Sequence, residues 1–180
     1  MSAHFMWEWL LSRLDSVIRR LKAQRSCLNA AAAMISARQG IVLELGLGNG
    51  RTFDHLRSRL PDHEIFVFDR QVAAHPDSTP DADHLILGDL KLTLHELQLR
   101  FRNSVVLVHS DVGTGDAASN AILAEFVGAA LVPMLAPNAV VVSDQAIKIL
   151  GAAAIELPRD VQLGRYFMVQ MRSEDHEGQG

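Results

Sequence analysis

The segment of residues 41–51, IVLELGLGNGR, constrains the fold more than any other part of the chain. Its first five residues are apolar except for Glu44, as expected of a buried strand, and glycines then recur at alternate positions. A glycine-rich turn between a parallel strand and a helix lets a ligand lie close to the backbone and directs the helix N-terminus toward it. The segment therefore predicts a site for a nucleotide-like cofactor in an α/β domain.

The spacing of the glycines bears on which cofactor this is. Dinucleotide-binding turns have the pattern G-x-G-x-x-G, with a pyrophosphate at the helix N-terminus. Here Gly46, Gly48 and Gly50 give G-x-G-x-G, and Arg51 stands where the third glycine would be. Glu44 would repel a pyrophosphate but suits a ligand that carries an amine. A tight strand-to-helix turn without a ligand stays open as the alternative at this point.

Four further strands are predicted, and polar residues stand at their ends. The apolar runs that predict these strands lie in residues 64–70, 84–90, 104–116 and 139–145. The carboxyl ends of parallel strands meet at one edge of a sheet, and α/β proteins bind ligands there. The polar residues expected at that edge are Asp69, Asp89, His109, Ser110, Asp111 and Asp144, with His109, Ser110 and Asp111 directly after the fourth strand.

Two of these acids have specific interpretations. Asp69 follows Gly50 by 19 residues, and a carboxylate there can accept both hydrogen bonds from a ribose diol. This spacing is a second, independent indication of a nucleoside ligand, although it does not separate the possible cofactors. Asp89 precedes an amphipathic segment at residues 90–101, so it could also cap that helix.

The E-x-G-x-G-x-G pattern after a first strand resembles the motif of class I S-adenosylmethionine (SAM) dependent methyltransferases. The resemblance covers residues 41–172. It implies a three-layer α/β fold with a seven-stranded, mostly parallel sheet that ends in an antiparallel hairpin, preceded by N-terminal helices. We expect crossover helices at residues 52–60, 90–101 and 117–131, a short helix at 146–152, and the last two strands at 154–157 and 165–172.

The resemblance also implies a set of cofactor contacts. It implies that Glu44 receives the amine of SAM, Asp69 the ribose and Asp89 the amine of the adenine. The residues expected to contact SAM are Glu44, Gly46, Gly48, Asn49, Gly50, Arg51, Asp69, Arg70, Gly88, Asp89, His109, Ser110 and Asp111.

The expected reaction is methyl transfer to an unidentified oxygen or nitrogen nucleophile, in a small molecule. A general base is needed only if the acceptor is protonated at neutral pH. His109 is the first candidate because its unperturbed pKa lies near neutrality, and Asp144 is the second. A histidine bonded only to neighbouring backbone is an equally open interpretation of His109.

Three different functions stay open beside this one. Catechol-type methyltransferases bind Mg²⁺, and His109 or Asp111 with Asp144 and Gln145 is partly similar to their site. Because Mg²⁺ prefers oxygen ligands, we expect no metal site. The second function is that of an NAD(P)-linked reductase, which Arg51 disfavours. The third is SAM binding without catalysis.

The N-terminal residues 1–40 are predicted to pack on the domain as a cover for the cleft or as a dimer surface. An amphipathic helix is expected from residue 5 to about residue 37, with a second helical piece at 28–36 that Gly40 ends. Trp7, Trp9 and Arg25 are candidates for contact with the substrate. Residues 41–172 form the SAM-binding domain, and residues 173–180 are expected to be a frayed tail.

Composition limits the class of protein. A chain of 180 residues is large enough for one domain with a proper core. It has neither an apolar run long enough for a membrane span nor a basic stripe with interleaved aromatics, so we expect no membrane or nucleic-acid partner. The single cysteine, Cys27, predicts a reducing cytoplasm and an inert thiol. The expected partners are a small-molecule acceptor and, if residues 1–40 form a dimer surface, a second copy of the chain.

Overall fold

A computed structural model describes residues 12–173 of the chain. The predictions for Trp7, Trp9 and nearly all of the tail lie outside these described residues. The helices are α1 (Arg13–Ile35), α2 (Arg51–Arg59), α3 (Leu90–Leu97) and α4 (Ala117–Leu131), with one 3-10 turn at Pro76–Ser78. The strands are β1 (Ile41–Leu45), β2 (Ile65–Asp69), β3 (Leu85–Leu87), β4 (Val105–Ser110), β5 (Leu135–Ser143), β6 (Ala152–Ala154) and β7 (Phe167–Met171).

The seven strands form one sheet in the order β3-β2-β1-β4-β5-β7-β6. The first five strands run parallel to one another, and β7 pairs antiparallel with both β5 and β6. The chain order reverses between β1 and β4, where open α/β sheets bind their ligands. The expected α/β fold with a C-terminal antiparallel hairpin is confirmed.

Two hydrophobic layers hold the sheet. One contains α1 and α2 side chains such as Cys27 and Leu56, together with Val42 of β1. The other contains α3 and α4 side chains, together with Leu43 of β1. Neighbouring residues of a strand face opposite layers, and helices cover both faces, so the central strands are apolar on both sides.

The N-terminal helix differs from the prediction. Helix α1 is one continuous helix that ends at Ser36, so there is no separate second piece and Gly40 is not its cap. Its alanine-rich second half packs on the sheet, because small side chains allow close approach. Leu14, Val17 and Ile18 in its first half are 67, 50 and 40% exposed, although their spacing predicted burial.

The second half of the sheet also differs in detail. Strand β4 continues through His109 and Ser110, which were expected after it. Strand β5 begins at Leu135 rather than at residue 139, and the β4–β5 register shifts where β5 carries extra residues that include Pro137. The helix expected at residues 146–152 is absent. Alternate residues there, Ile147 and Ile149, are buried, and a period of two requires an extended chain.

Strand β6 is shorter and earlier than the predicted strand at residues 154–157. The helices α2 and α4 agree with their predicted ranges to within one residue, while α3 ends before residue 101. Among the helices within residues 12–173, none is long and apolar enough to cross a membrane.

Candidate active site

A cavity of about 310 Å³ opens at the carboxyl edge of the sheet, beside the ends of β1, β2, β3 and β4. The residues that line it come from the glycine turn, from the ends of β2 and β3, and from the loop after β4. They are Gly46, Gly48, Phe68, Asp69, Arg70, Gly88, Asp89, Leu90, Lys91, Asp111, Val112, Gly113 and Leu123.

The glycine turn needs glycine for two separate reasons. Gly46 has φ +93°, and a Cβ there would lie 2.9 Å from the carbonyl oxygen of Asp111. Gly48 has φ +52°, and a Cβ there would meet no atom within 4 Å. Because Gly48 lines the cavity, the backbone at this point is open to a ligand that packs against the turn.

Two acids on the cavity wall are held by backbone N–H groups. Asp69 Oδ2 accepts from the backbone nitrogens of Leu47 at 2.8 Å and Gly48 at 3.1 Å. Asp89 Oδ1 accepts from the backbone nitrogen of Lys91 at 2.9 Å and so caps α3, as the capping interpretation predicted. Each carboxylate oxygen has two lone pairs, so both acids keep capacity for ligand donors.

Helix α1 reaches the cavity wall through Asp111. One Arg20 guanidinium nitrogen lies 2.5 Å from both carboxylate oxygens of Asp111, and Gln24 Nε2 donates to Asp111 Oδ2 at 2.9 Å. The Arg20 side chain is 47% exposed and that of Asp111 is 20% exposed. The basic residue of α1 that contacts the wall is therefore Arg20. Arg25, a candidate for contact with the substrate, is exposed and is not one of the residues that line the cavity, and its contact with the substrate stays a prediction.

Behind the glycine turn lies a fully buried pair, Glu44 and His109, which face each other on β1 and β4. His109 Nδ1 lies 2.8 Å from Glu44 Oε2, and the hydroxyl of Thr52 donates to Glu44 Oε1. His109 Nε2 lies 2.7 Å from the hydroxyl of Tyr166. Burial, the largest single effect, lowers the pKa of His109, but the carboxylates of Glu44, Asp111 and Asp144 together raise it above its ordinary value.

Asp144, directly after β5, has one carboxylate oxygen with no partner. Its Oδ2 accepts from Gln145 Nε2 at 3.1 Å, whereas Oδ1 is buried without a hydrogen-bond partner among residues 12–173. Burial raises the pKa of the Asp144 carboxyl, and the negative charge of Asp111 adds to that effect. A Cβ on Gly113 would overlap Asp144 Oδ2, so this carboxylate lies against the cavity wall.

Comparison with known proteins identifies the family. The family model described as S-adenosyl-L-methionine methyltransferase matches residues 11–171. The chain belongs to this SAM methyltransferase family. The structure of an S-adenosyl-L-methionine methyl transferase from Silicibacter pomeroyi is 41% identical, with a TM-score of 0.84, and the match covers 90% of this chain and 99% of that one.

More distant structures share the fold alone. TrmN from Thermus thermophilus is 14% identical with a TM-score of 0.56, and the match covers 79% of this chain and 48% of that one. MycE from the mycinamycin biosynthetic pathway, in complex with Mg, SAH and mycinamycin VI, is 16% identical with a TM-score of 0.51, covering 81% and 45%. No curated protein matches the sequence significantly.

The cofactor of this SAM methyltransferase is therefore SAM, and the residues of the cavity fit it. The glycine turn offers open backbone at Gly48, and Asp69 and Asp89 supply acceptors for hydroxyl and amine groups. When bound, SAM supplies an activated methyl group on a sulfonium. The family assignment argues against the NAD(P)-linked reductase.

The described residues do not assemble a metal site. Within residues 12–173, no group of three or more His, Cys, Asp or Glu side chains could hold a metal ion. Both ring nitrogens of His109 have partners, and Asp111 is paired with Arg20. The partial similarity to catechol-type enzymes in sequence is therefore not accompanied by a ligand cluster in this geometry.

The predicted cofactor residues divide into two groups. Those that line the cavity are Gly46, Gly48, Asp69, Arg70, Gly88, Asp89 and Asp111. Those that do not are Glu44, Asn49, Gly50, Arg51, His109 and Ser110. The contacts of every one of these residues with SAM stay predictions. The side chains of Glu44 and His109 are fully buried behind the glycine turn.

Sequence reasoning missed several residues of this region. Val112, Gly113 and Leu123 belong to the wall, and the loop position of Val112 and Gly113 directly after β4 could have indicated them. Gln24 and Tyr166 were missed for a different reason. They are far apart in sequence, and no local pattern indicates that their side chains meet.

Proposed function

We propose that this SAM methyltransferase transfers the sulfonium methyl group to an oxygen or nitrogen nucleophile of a small molecule, with Asp144 as the general base. The observation that carries the proposal is the buried Oδ1 of Asp144, which has no partner among residues 12–173, in a carboxylate whose Oδ2 lies against Gly113 of the cavity wall. A buried acceptor atom without a partner is costly, and an incoming O–H or N–H donor would satisfy it.

The chain's own residues have separate tasks in this proposal. Asp69 and Asp89 hold the polar groups of the cofactor, and the glycine turn lets the cofactor approach the backbone. Asp144 Oδ1 accepts the proton that the acceptor's O–H or N–H bond loses as the new bond to carbon forms. The resulting carboxylic acid returns this proton to solvent before the next cycle.

The raised pKa of Asp144 supports this role. A carboxylate with an ordinary pKa near 4 is a weak base at neutral pH. Burial raises the pKa of Asp144 above this ordinary value, which makes its carboxylate a stronger base. The Gln145 amide holds the other oxygen, so that Oδ1 is the atom left for the acceptor.

His109 was the first candidate for the base, and the geometry favours Asp144 over it. Both ring nitrogens of His109 already have partners in Glu44 and Tyr166, whereas Asp144 keeps one oxygen with no partner among residues 12–173. A base must come within hydrogen-bond reach of the acceptor. We therefore assign His109 a supporting role rather than a contact with the substrate.

Labelled SAM tests this proposal. The protein is incubated with methyl-labelled SAM and a cell extract, and the products are separated by size. We expect the label in the small-molecule fraction, and we expect Asp144→Asn to lose most of this transfer while still binding SAM. Asp62→Asn, at an exposed position away from the cavity, is the matched control.

Three results of the labelling experiment would contradict different parts of the proposal. Label found in protein or nucleic acid would refute the small-molecule acceptor. Binding of SAM without transfer to any fraction would favour a non-catalytic SAM-binding protein. Full activity of Asp144→Asn would remove Asp144 from the mechanism.

A further inference from the structure

A chain of hydrogen bonds, buried over most of its length, joins the cavity wall to the strand behind the glycine turn. It runs from Asp111 on the wall through Gln24, Tyr166 and His109 to Glu44 behind the glycine turn. Gln24 is 5% exposed, and the next three side chains are fully buried. These residues come from the loop after β4, from α1, from the segment before β7, from β4 and from β1, so the chain connects five parts of the fold.

The direction of each hydrogen bond follows from the first one. Asp111 is ion-paired with Arg20, so its carboxylate only accepts, and the Gln24 atom 2.9 Å away must be the amide nitrogen. That nitrogen has two hydrogens. The second lies toward the Tyr166 oxygen, also at 2.9 Å, so the tyrosine oxygen accepts there.

The remaining bonds are then fixed in turn. Since Tyr166 accepts from Gln24, its own hydrogen is available to donate to His109 Nε2 at 2.7 Å. A nitrogen that accepts carries no hydrogen, so the ring hydrogen is on Nδ1 and is donated to Glu44 at 2.8 Å. Burial raises the pKa of Tyr166 far above its ordinary value, so its hydroxyl stays protonated.

A doubly protonated His109 ring would leave one buried hydrogen-bond donor without an acceptor. If the ring were protonated, Nε2 would donate to a Tyr166 oxygen that already accepts from Gln24. The tyrosine hydrogen would then have no acceptor among the described residues. The neighbouring carboxylates Glu44, Asp111 and Asp144 favour a charged ring, but an unsatisfied buried hydroxyl opposes it. The hydrogen-bond count therefore favours a neutral ring at neutral pH.

We propose that His109 and Tyr166 are positioning residues, and that their hydrogen-bond chain, which donates outward from Gln24 to an acid at each end, fixes Glu44 behind the glycine turn and Asp111 on the wall, thereby setting the affinity for SAM. Neither residue touches the cofactor in this scheme. They act through the two acids at the ends of the chain, one of which, Asp111, lines the cavity. This inference rests on SAM binding alone and does not depend on the acceptor or on Asp144.

The first test uses the unaltered protein. Nitrogen NMR of the histidine rings, with the His109 signals assigned by their loss in His109→Asn, reports where the ring hydrogen resides. We expect a neutral ring with hydrogen on Nδ1 at pH 7.5, both without and with SAM. A doubly protonated ring, or a hydrogen on Nε2, would overturn the proposed chain.

The second test compares two matched variants by calorimetric titration with SAM. Tyr166→Phe removes the hydroxyl and keeps the ring that stacks on His109. Ser26→Ala is the control, because it removes a 2.6 Å hydrogen bond from α1 to Asp160 that does not belong to the chain. We expect Tyr166→Phe to bind SAM about tenfold more weakly, as one lost buried hydrogen bond implies, and Ser26→Ala to bind within about twofold of the parent.

A purely structural tyrosine would give a different result. If Tyr166 were purely structural, Tyr166→Phe would have a lower melting temperature but the same affinity for SAM as Ser26→Ala. This outcome would refute the proposal. If Tyr166→Phe does not fold, the NMR result on the unaltered protein decides. Since neither readout involves methyl transfer, failure here is distinguishable from failure of the proposed reaction.

Discussion

Replacement of Asp69 by asparagine tests the cofactor side of the cavity most directly. Asp69 accepts hydrogen bonds from the backbone nitrogens of Leu47 and Gly48 through Oδ2, and from that of Gln71 at 3.2 Å through Oδ1. Asparagine has the same shape, but its side-chain nitrogen cannot accept a hydrogen bond. Whichever way the amide turns, at least one backbone donor loses its partner.

Asp69→Asn should lower both the free energy of unfolding and the affinity for SAM. A hydrogen bond to a charged group contributes about 1.5–3 kcal/mol, so the free energy of unfolding should fall by about that amount, less any share that water restores at this half-buried position. If Asp69 also accepts from the ribose diol, SAM loses a bond of the same kind. Since about 1.4 kcal/mol corresponds to a factor of ten, the dissociation constant for SAM should rise about 10- to 100-fold.

The assay separates these two parts. Thermal unfolding without ligand measures the loss of the turn bonds, and titration calorimetry with SAM measures the loss at the ribose. Asp62→Asn serves again as the control for removal of one surface charge. An Asp69→Asn protein that is less stable but binds SAM with unchanged affinity would show that Asp69 only braces the turn, and the ribose assignment would be wrong.

Three further predictions follow from the same geometry. Asp144→Asn should lower kcat about 10²- to 10⁴-fold while raising the melting temperature at neutral pH. The raised pKa of Asp144 means that the folded state favours the protonated acid, so the stability of the parent protein is lost as pH rises through that pKa. Its activity needs the carboxylate and is therefore lost as pH falls through the same pKa. An unchanged kcat, or a lower melting temperature, would contradict this. Gly46→Ala should abolish SAM binding. It should also cost more stability than the about 1–3 kcal/mol of a residue held at unfavourable backbone angles, because its Cβ would in addition meet the Asp111 carbonyl; equilibrium urea unfolding measures this loss. Arg20→Ala should change stability by no more than about 1 kcal/mol, since the Arg20 side chain is 47% exposed, but it should weaken SAM binding because Asp111 loses its partner. A calorimetric affinity for SAM equal to that of the parent protein would refute the link from α1 to the wall.

Much of the cofactor side could be predicted because its signals are local. The sequence around Glu44 defines a strand that runs into a glycine turn, and the parallel sheet brings Asp69, Asp89 and Asp111 to the same edge. The wall residues of the glycine turn and of the strand ends follow from this rule. The start of β5 and the position of β6 did not follow, because pairing with β4 decides the first and pairing with β7 decides the second, and neither pairing has a local sequence signal.

The predicted role of His109 shows where this kind of inference ends. The sequence indicated correctly that His109 lies near the carboxyl edge, but β4 continues through this residue and its ring is fully buried. Side chains alternate between the two faces of a strand, so a small shift in where a strand ends changes which side chains reach the cavity. A residue that directly follows a strand and a residue that is still paired at the end of the strand therefore contact different side chains.

The parallel sheet, the glycine turn and the acids at the strand ends can all be predicted from the sequence, since each depends on residues close together along the chain. The contact of Arg20 with Asp111, 91 residues away, and that of Gln24 with Tyr166, 142 residues away, appear only in the folded protein. Such contacts depend on how α1 and the last hairpin pack against the same face of the sheet. Packing is set by the shape of the whole core, and no short segment of sequence contains that information.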